Sequence, residues 1–222
     1  MRIVTFRKDN FVRVGVEIQA DGETWIVDVS KVDNHIPSNM VDCLSGGEET
    51  MQRMHLAVEK AGKQDRFKRD EVKLMAPVPR PGKIICVGLN YRDHALEGNR
   101  PIPQFPTIFN KYSTAVIAPG ETIRIPRVTS QVDYEAELAV VIGKRCRYVP
   151  ESEALDVVAG YTCFNDVSGR DYQNRTSQWT IGKSFDTFGP MGPAIVTADE
   201  IGDPGNLDVR SFLNGVEMQH SN

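Results

Sequence analysis

The run with the clearest chemical potential is Asp133-Tyr134-Glu135-Ala136-Glu137-Leu138-Ala139-Val140-Val141-Ile142-Gly143. Read as a strand, its period of two sets Glu135 and Glu137 on one face, continued by Ala139 and Val141. Ala136, Leu138, Val140 and Ile142 occupy the other face, so both sides of the far half are expected to be buried. Two neighbouring carboxylates at a buried strand end repel each other and lose solvation, and a divalent cation removes both penalties. The alternative is a strand whose first half lies in water, with the glutamates as ordinary surface charges. Asp166, at the end of the apolar run Tyr161-Thr162-Cys163-Phe164-Asn165, also has two readings. It either caps the following turn or completes an all-oxygen Glu/Glu/Asp site. Hard carboxylate ligands suit magnesium, manganese or calcium, and no Cys or His lies near enough in sequence to build a softer site.

A second constellation is Asn90-Tyr91-Arg92-Asp93-His94-Ala95-Leu96-Glu97. On a helix, His94 and Glu97 at i, i+3 share a face, so the carboxylate can orient an imidazole that activates water. The same pair is also a common feature of a polar helix surface. It directly follows the apolar run 84–88, a place where active-site loops often lie. Gly182-Lys183-Ser184 resembles the end of a phosphate-binding loop, but Ser177 stands where that loop needs its first glycine. The nucleotide reading fails on that residue.

The elements that must position these residues fall into two textures. The first is a small β-rich module, predicted as domain 1–74. It has a strand over 2–6, alternation at Val14, Val16 and Ile18, and an Asp21-Gly22 turn into 24–29. A helix is predicted over 48–61, with Met51, Met54, His55 and Val58 on one face and Gly62 as its stop. The charged stretch 63–70 is expected to be exposed, and Pro77, Pro79 and Pro81 make a stiff connector. The second is domain 75–222, a strand-dominated region. Ile84 to Gly88 reads as a strand buried on both faces. Further strands are expected at 107–109, 122–125, 135–143, 160–166 and 194–197, and short helices at 92–97 and 151–159. Asn214-Gly215 between Leu207–Leu213 and Val216–Gln219 makes a hairpin. The fold class is mostly β, with α+β character.

The 222 residues carry 26 basic and 30 acidic side chains, a net charge of −4. That leaves no electrostatic footprint for nucleic acid or an anionic membrane. No apolar run approaches the length of a membrane span. The N-terminus reads directly as a strand, without a signal-peptide or transit-peptide pattern. Cys43, Cys86, Cys146 and Cys163 are too scattered for a CxxC motif and are read as reduced thiols of an intracellular protein. A cytoplasmic location is expected, or a mitochondrial one if a presequence has been removed.

Four segments in order carry a family resemblance: Ala76 to His94, Asp133 to Gly143, Asn165-Asp166-Val167-Ser168-Gly169-Arg170-Asp171-Tyr172-Gln173, and Gly182-Lys183-Ser184-Phe185-Asp186-Thr187. In order and spacing the chain resembles the fumarylacetoacetate hydrolase family. The resemblance implies a catalytic domain of mixed β-sheets in a β-roll, preceded by a small β-rich domain, in a homodimer. It implies magnesium or manganese, with calcium as a non-native occupant, held by Glu135, Glu137 and Asp166. His94 and Glu97 become the water-activating pair and Lys183 lies beside the metal. Arg170, Gln173 and Lys111 then hold a substrate carboxylate. Gly169 departs from the alanine usual in relatives.

The implied substrates are small 2-oxo or β-dicarbonyl acids. Three reactions stay open: hydrolytic C–C cleavage of acylpyruvates, decarboxylation of oxaloacetate, and keto–enol tautomerisation of oxaloacetate. A non-catalytic metal-binding or dimerisation module is the alternative outside catalysis. Family members continue past the Asn214-Gly215 hairpin with an apolar helix, a Thr-Gly-Thr-Pro loop and further strands. The C-terminal part of the family fold is therefore expected to be missing here, and the 222-residue chain alone to be inactive.

Overall fold

Alternating apolar residues at the N-terminus fold as an antiparallel meander of β1 (Arg2–Lys8), β2 (Phe11–Ala20) and β3 (Glu23–Asp28). Val4 lies opposite Gly15, and Val16 opposite Val27. Asp21 and Gly22 turn β2 into β3 with φ of 55° and 75°, the pair of positive angles that a tight hairpin requires. The computed structural model describes residues 1–99 and 101–222. The chain divides into two compact units. The first comprises Met1–Pro79, Ala139–Cys163 and Met191–Gly202, and the second Arg80–Leu138, Phe164–Pro190 and Asp203–Asn222.

In the first unit the buried Asp28 caps α1 (Val29–Val32) by accepting from the Lys31 N–H, and it pairs with Arg13 at 2.7 Å. α2 (Met40–Ser45) follows, then α3 (Gly47–Lys60), which matches the predicted helix and buries Met54 and Ala57. The stretch 63–70 departs from its expected exposure. It supplies β4 (Arg66–Lys68), which pairs with β3, and most of its residues are half-buried. Phe67 packs on a core of Val4, Phe6, Ile26, Val72, Leu74 and Ala194. One aromatic ring anchors the segment, while Lys63, Gln64 and Asp70 stay exposed. β5 (Lys73–Leu74) pairs with β1.

The second unit begins with β6 (Ile84–Gly88), α4 (Arg92–Glu97) and β7 (Thr107–Lys111). β6 and β7 form a two-stranded sheet with Cys86 opposite Phe109. β6 is not buried on both faces as predicted. Ile85 is 66% exposed and Val87 44%, because only the face of Ile84, Cys86 and Gly88 is covered among the described residues. Residues 122–125, predicted as a strand, form no ladder. The Arg124 N–H is taken by Thr187 Oγ1 at 2.7 Å, and Pro126 has no N–H to offer a partner strand.

β8 (Val116–Ile117) and β9 (Val132–Asp133) are short, and β9 pairs with β12 (Ser168–Gly169). Between them lie β10 (Ala136–Ile142) and β11 (Val158–Asn165). The segment predicted as a helix over 151–159 is a 3-10 helix, Glu151–Val157. α5 (Arg170–Gln173), α6 (Thr180–Lys183), β13 (Gly189–Thr197), α7 (Ala198–Ile201) and the hairpin β14 (Val209–Leu213) and β15 (Val216–Ser221) complete the chain. The large sheet runs β10-β11-β13-β1-β2-β3-β4. β10 is its edge strand, and Val140 and Ile142 at its far end are exposed rather than buried as the alternation suggested. No helix among the described residues is long and apolar enough to cross a membrane. All four cysteines are free.

Candidate active site

Three short stretches of the second unit converge. Glu135 lies between β9 and β10, where Asp166, the residue after β11, donates its N–H to the Glu135 carbonyl at 2.9 Å. That backbone bond puts two carboxylates side by side. The Lys183 ammonium, at the end of α6, donates to both, at 2.7 Å to Glu135 Oε2 and 2.9 Å to Asp166 Oδ2. Lys183 is 2% exposed, and its Nζ stands 5.2 Å from the centre of the Phe109 ring. Lys111, at the end of β7 and equally buried, donates to Asp166 Oδ1 at 2.7 Å, to the Val167 carbonyl at 3.1 Å and to the Lys183 carbonyl. An ammonium has three hydrogens, so these partners take all of them. Burial lowers the Lys111 pKa, the Asp166 carboxylate opposes that, and the neighbouring Lys183 charge adds to it.

Arg170, the first residue of α5, closes the other side. It pairs with Glu135 Oε1 at 2.6 Å, with Asp133 Oδ2 at 2.7 Å and with Gln173 Oε1 at 2.9 Å. Burial works against its charge, yet Glu135 and Asp133 outweigh it and the pKa rises. Asp133 carries no role in the sequence reading. Its signal was in plain view, since Asp133, Glu135 and Glu137 recur at a strand's period.

Glu137 faces a different set of neighbours. Burial, then the charges of Glu135 and Asp166, push its carboxyl up to about 7, although Asn90 hydrogen-bonds to it. Tyr91 is raised by burial and by Glu137, and hydrogen-bonds the Leu138 backbone. Leu89 enters this loop at φ 54°, a left-handed angle uncommon for a side-chain-bearing residue. Asn90 and Tyr91 were thus read only as part of a motif, whereas the fold turns them onto the carboxylate strand. Cys86 is pushed up to about 12, first by burial and then by the Asp166 charge.

His94 and Glu97 sit on α4 and are exposed. Among the described residues no hydrogen bond joins them to each other or to the lysine–carboxylate cluster. The three carboxylates, as placed, do not converge on one point, and no group of three His, Cys, Asp or Glu side chains among the described residues has that arrangement. Glu135 and Asp166 share Lys183, while Glu137 is turned to Asn90. The donor set itself fits a hard divalent cation. It offers only carboxylate oxygens, and burial, with the charges of Glu135 and Asp166 added, raises the Glu137 carboxyl to about 7.

A strand-rich fold that buries two lysines among carboxylates belongs to the class of proteins that keep a charged cluster in a dry interior, as enzymes do at their functional sites. Residues 83–222 match the family profile described as fumarylacetoacetate (FAA) hydrolase, C-terminal, and the chain belongs to the fumarylacetoacetate hydrolase family. It is 44% identical over 226 residues to the mitochondrial oxaloacetate tautomerase fahd2 of Xenopus laevis, covering 100% of this chain and 70% of that protein. The fumarylacetoacetate hydrolase of Exiguobacterium antarcticum superposes with a TM-score of 0.82 at 34% identity, over 100% of this chain and 75% of the other. The maleylpyruvate hydrolase of Sphingobium sp. SYK-6, solved with manganese(II) and pyruvate, gives 0.80 at 31% identity, over 100% and 76%. These relatives are named as enzymes, and the chain spans about 70% of the length of the curated relatives it matches.

Proposed function

We propose, against the expectation that the 222 residues alone are inactive, that this chain catalyses enolisation of a small 2-oxo dicarboxylic acid, with keto–enol tautomerisation of oxaloacetate as its main reaction. The observation that carries the reading is the buried lysine–carboxylate cluster, with Lys183 between Glu135 and Asp166. The name borne by a relative 44% identical over the full chain supports the choice of reaction. Glu135, Glu137 and Asp166 would hold one magnesium or manganese ion, whose chemistry is Lewis-acid polarisation of a carbonyl oxygen.

The rest falls to the protein's own groups. Lys183, buried between Glu135 and Asp166, would present positive charge to the oxygen that becomes negative on enolisation. His94, with Glu97, would take the proton from the carbon beside the carbonyl and return it once α4 closes on bound substrate, since both side chains are exposed without it. Arg170 and Gln173 orient a substrate carboxylate, for which Arg170 must exchange part of its hold on Asp133. Lys111, with its hydrogens already committed, serves the electrostatics of Asp166 more than direct contact. A homodimer and, from the names of the relatives, a mitochondrial location belong to the same reading.

The test follows enol and keto oxaloacetate by NMR, with manganese and then with chelator. Catalysed interconversion that the chelator abolishes is the expected result, and a rate no greater than in buffer sinks the proposal. His94→Ala should retain manganese binding and lose on the order of a hundredfold in rate, as for a general base. A second reading, hydrolysis of acylpyruvates, draws on the neighbouring hydrolase with bound pyruvate. Two acylpyruvates in the same assay decide it, since faster pyruvate release than tautomerisation makes hydrolysis the main activity.

A further inference from the structure

The ladder around the carboxylates is interrupted. β9 ends at Asp133 and β10 begins at Ala136, leaving Tyr134 and Glu135 without regular strand pairing. One side chain from the hairpin bridges the gap. Gln219, on β15 and half-buried, accepts the Ala136 N–H on Oε1 at 2.9 Å and donates from Nε2 to the Tyr134 carbonyl at 3.1 Å. These two backbone groups flank Glu135, and a neighbouring strand would ordinarily have satisfied them.

Glu135's own backbone is held separately. Its N–H reaches Asn165 Oδ1 at 3.2 Å, and its carbonyl accepts from Asp166. Ser211 Oγ, across the hairpin, donates to the same Gln219 Oε1 at 3.0 Å. The Ala136 N–H can only donate and the Tyr134 carbonyl can only accept, so those two bonds fix which end of the amide is oxygen, and Ser211 adds a third bond to that oxygen. Two residues on, Ser221 hydrogen-bonds Asp93 of α4. The hairpin therefore touches both the strand that carries the glutamates and the helix that carries His94.

We infer that Gln219 is a positioning residue for Glu135. Its side-chain amide stands in for a missing strand partner at 134–136 and fixes the direction in which the Glu135 carboxylate points. Lys183 and Arg170 hold the tip of that carboxylate, and Gln219 holds the backbone on either side of its Cα. Ser211 acts one step further out, by tethering the amide oxygen. The consequence for metal affinity rests on reading Glu135 as a ligand, while the consequence for the backbone does not.

The experiment uses the full chain and three variants, Gln219→Leu, Ser211→Ala and, as a control on the same hairpin, Met218→Ala. Manganese affinity is read by calorimetry and exchange of the Ala136 amide by NMR. Gln219→Leu should weaken manganese binding about tenfold, as loss of an outer partner does at a metal site, and speed Ala136 exchange by about tenfold. Ser211→Ala should do both to a smaller extent, and Met218→Ala neither. A purely structural role would lower the melting temperature while leaving the manganese affinity of the folded chain unchanged. Unchanged affinity and unchanged Ala136 exchange in Gln219→Leu overturn the inference. If that variant unfolds the hairpin, Ser211→Ala decides, and no effect there overturns it equally. A wild-type chain that binds no manganese defeats the metal reading alone, and Ala136 exchange then judges the positioning role by itself.

Discussion

Lys183 holds two carboxylates with one ammonium, and both of those carboxylates are also held by other cations. Such a cluster is stable only while complete, because removing one partner strands charge in a dry interior. Lys183→Met should therefore cost about 3–5 kcal/mol in a denaturant titration, well above the typical effect of one substitution. Glu137 behaves differently, because its carboxyl sits at about 7 instead of the usual 4.5. The folded state holds this proton more tightly than the unfolded chain does. Its contribution to stability is thus full below pH 4.5 and is lost as the pH rises towards 7. Glu137→Gln should abolish that fall, so that the urea midpoints of wild type and variant diverge in favour of the variant between about pH 4.5 and 7 and keep that difference above it. The same variant should bind manganese markedly more weakly by calorimetry. Parallel midpoint profiles, or unchanged affinity, would remove Glu137 from the site.

The helices that aim these side chains are short and depend on close backbone contact. A Cβ on Gly182 would stand 2.4 Å from the Gln173 nitrogen and 2.7 Å from the Gly169 carbonyl oxygen. α5 and α6 can approach one another only because that position is glycine, and Lys183 is the next residue. Gly182→Ala should cost about 1–3 kcal/mol through overpacking and displace the Lys183 ammonium, seen as a lower melting temperature together with weakened manganese binding. Gly169 is a useful contrast. There a Cβ would meet Phe185 Cε2 and Thr129 Oγ1 at 3.2 Å, both ends of side chains that can shift. Gly169→Ala should cost less than Gly182→Ala in the same melt, in keeping with the alanine that the family resemblance places there.

Across the molecule, many apolar side chains stay in water, and two groups of them in the second unit lie on paired strands. Ile85, Val87 and Ile108 line one face of the β6–β7 sheet, while Phe212, Leu213, Val216 and Met218 stand out along the β14–β15 hairpin. Contiguous exposed apolar area raises the tendency to associate and to bind hydrophobic dyes. The chain should bind such a dye at neutral pH. Threonine at positions 85, 87 and 108 together should reduce that binding and raise solubility, with the melting temperature nearly unchanged because little burial is lost. Dye binding equal to wild type in the triple variant would show that this face is covered in solution.

Local pattern alone determined a good part of this protein. The Asp21-Gly22 turn, the helix at 47–60, the short helix of His94 and Glu97, and the Asn214-Gly215 hairpin all follow from periodicity and turn chemistry that act within a few residues. The four ordered motifs that resemble the family were legible for the same reason. Only the tertiary structure decided which partners those residues meet. Periodicity tells which way a side chain points but not what stands opposite, so it overestimated the burial of β6 and of the far end of β10. It also placed a strand at 122–125, where the Arg124 N–H is spent on Thr187. The Lys183 bridge, the anchoring of Arg170 by Asp133, and the bracketing of Glu135 by Gln219 join residues 17 to 85 positions apart. Contacts over such separations arise from how the strands are laid beside one another, and no local spacing encodes them.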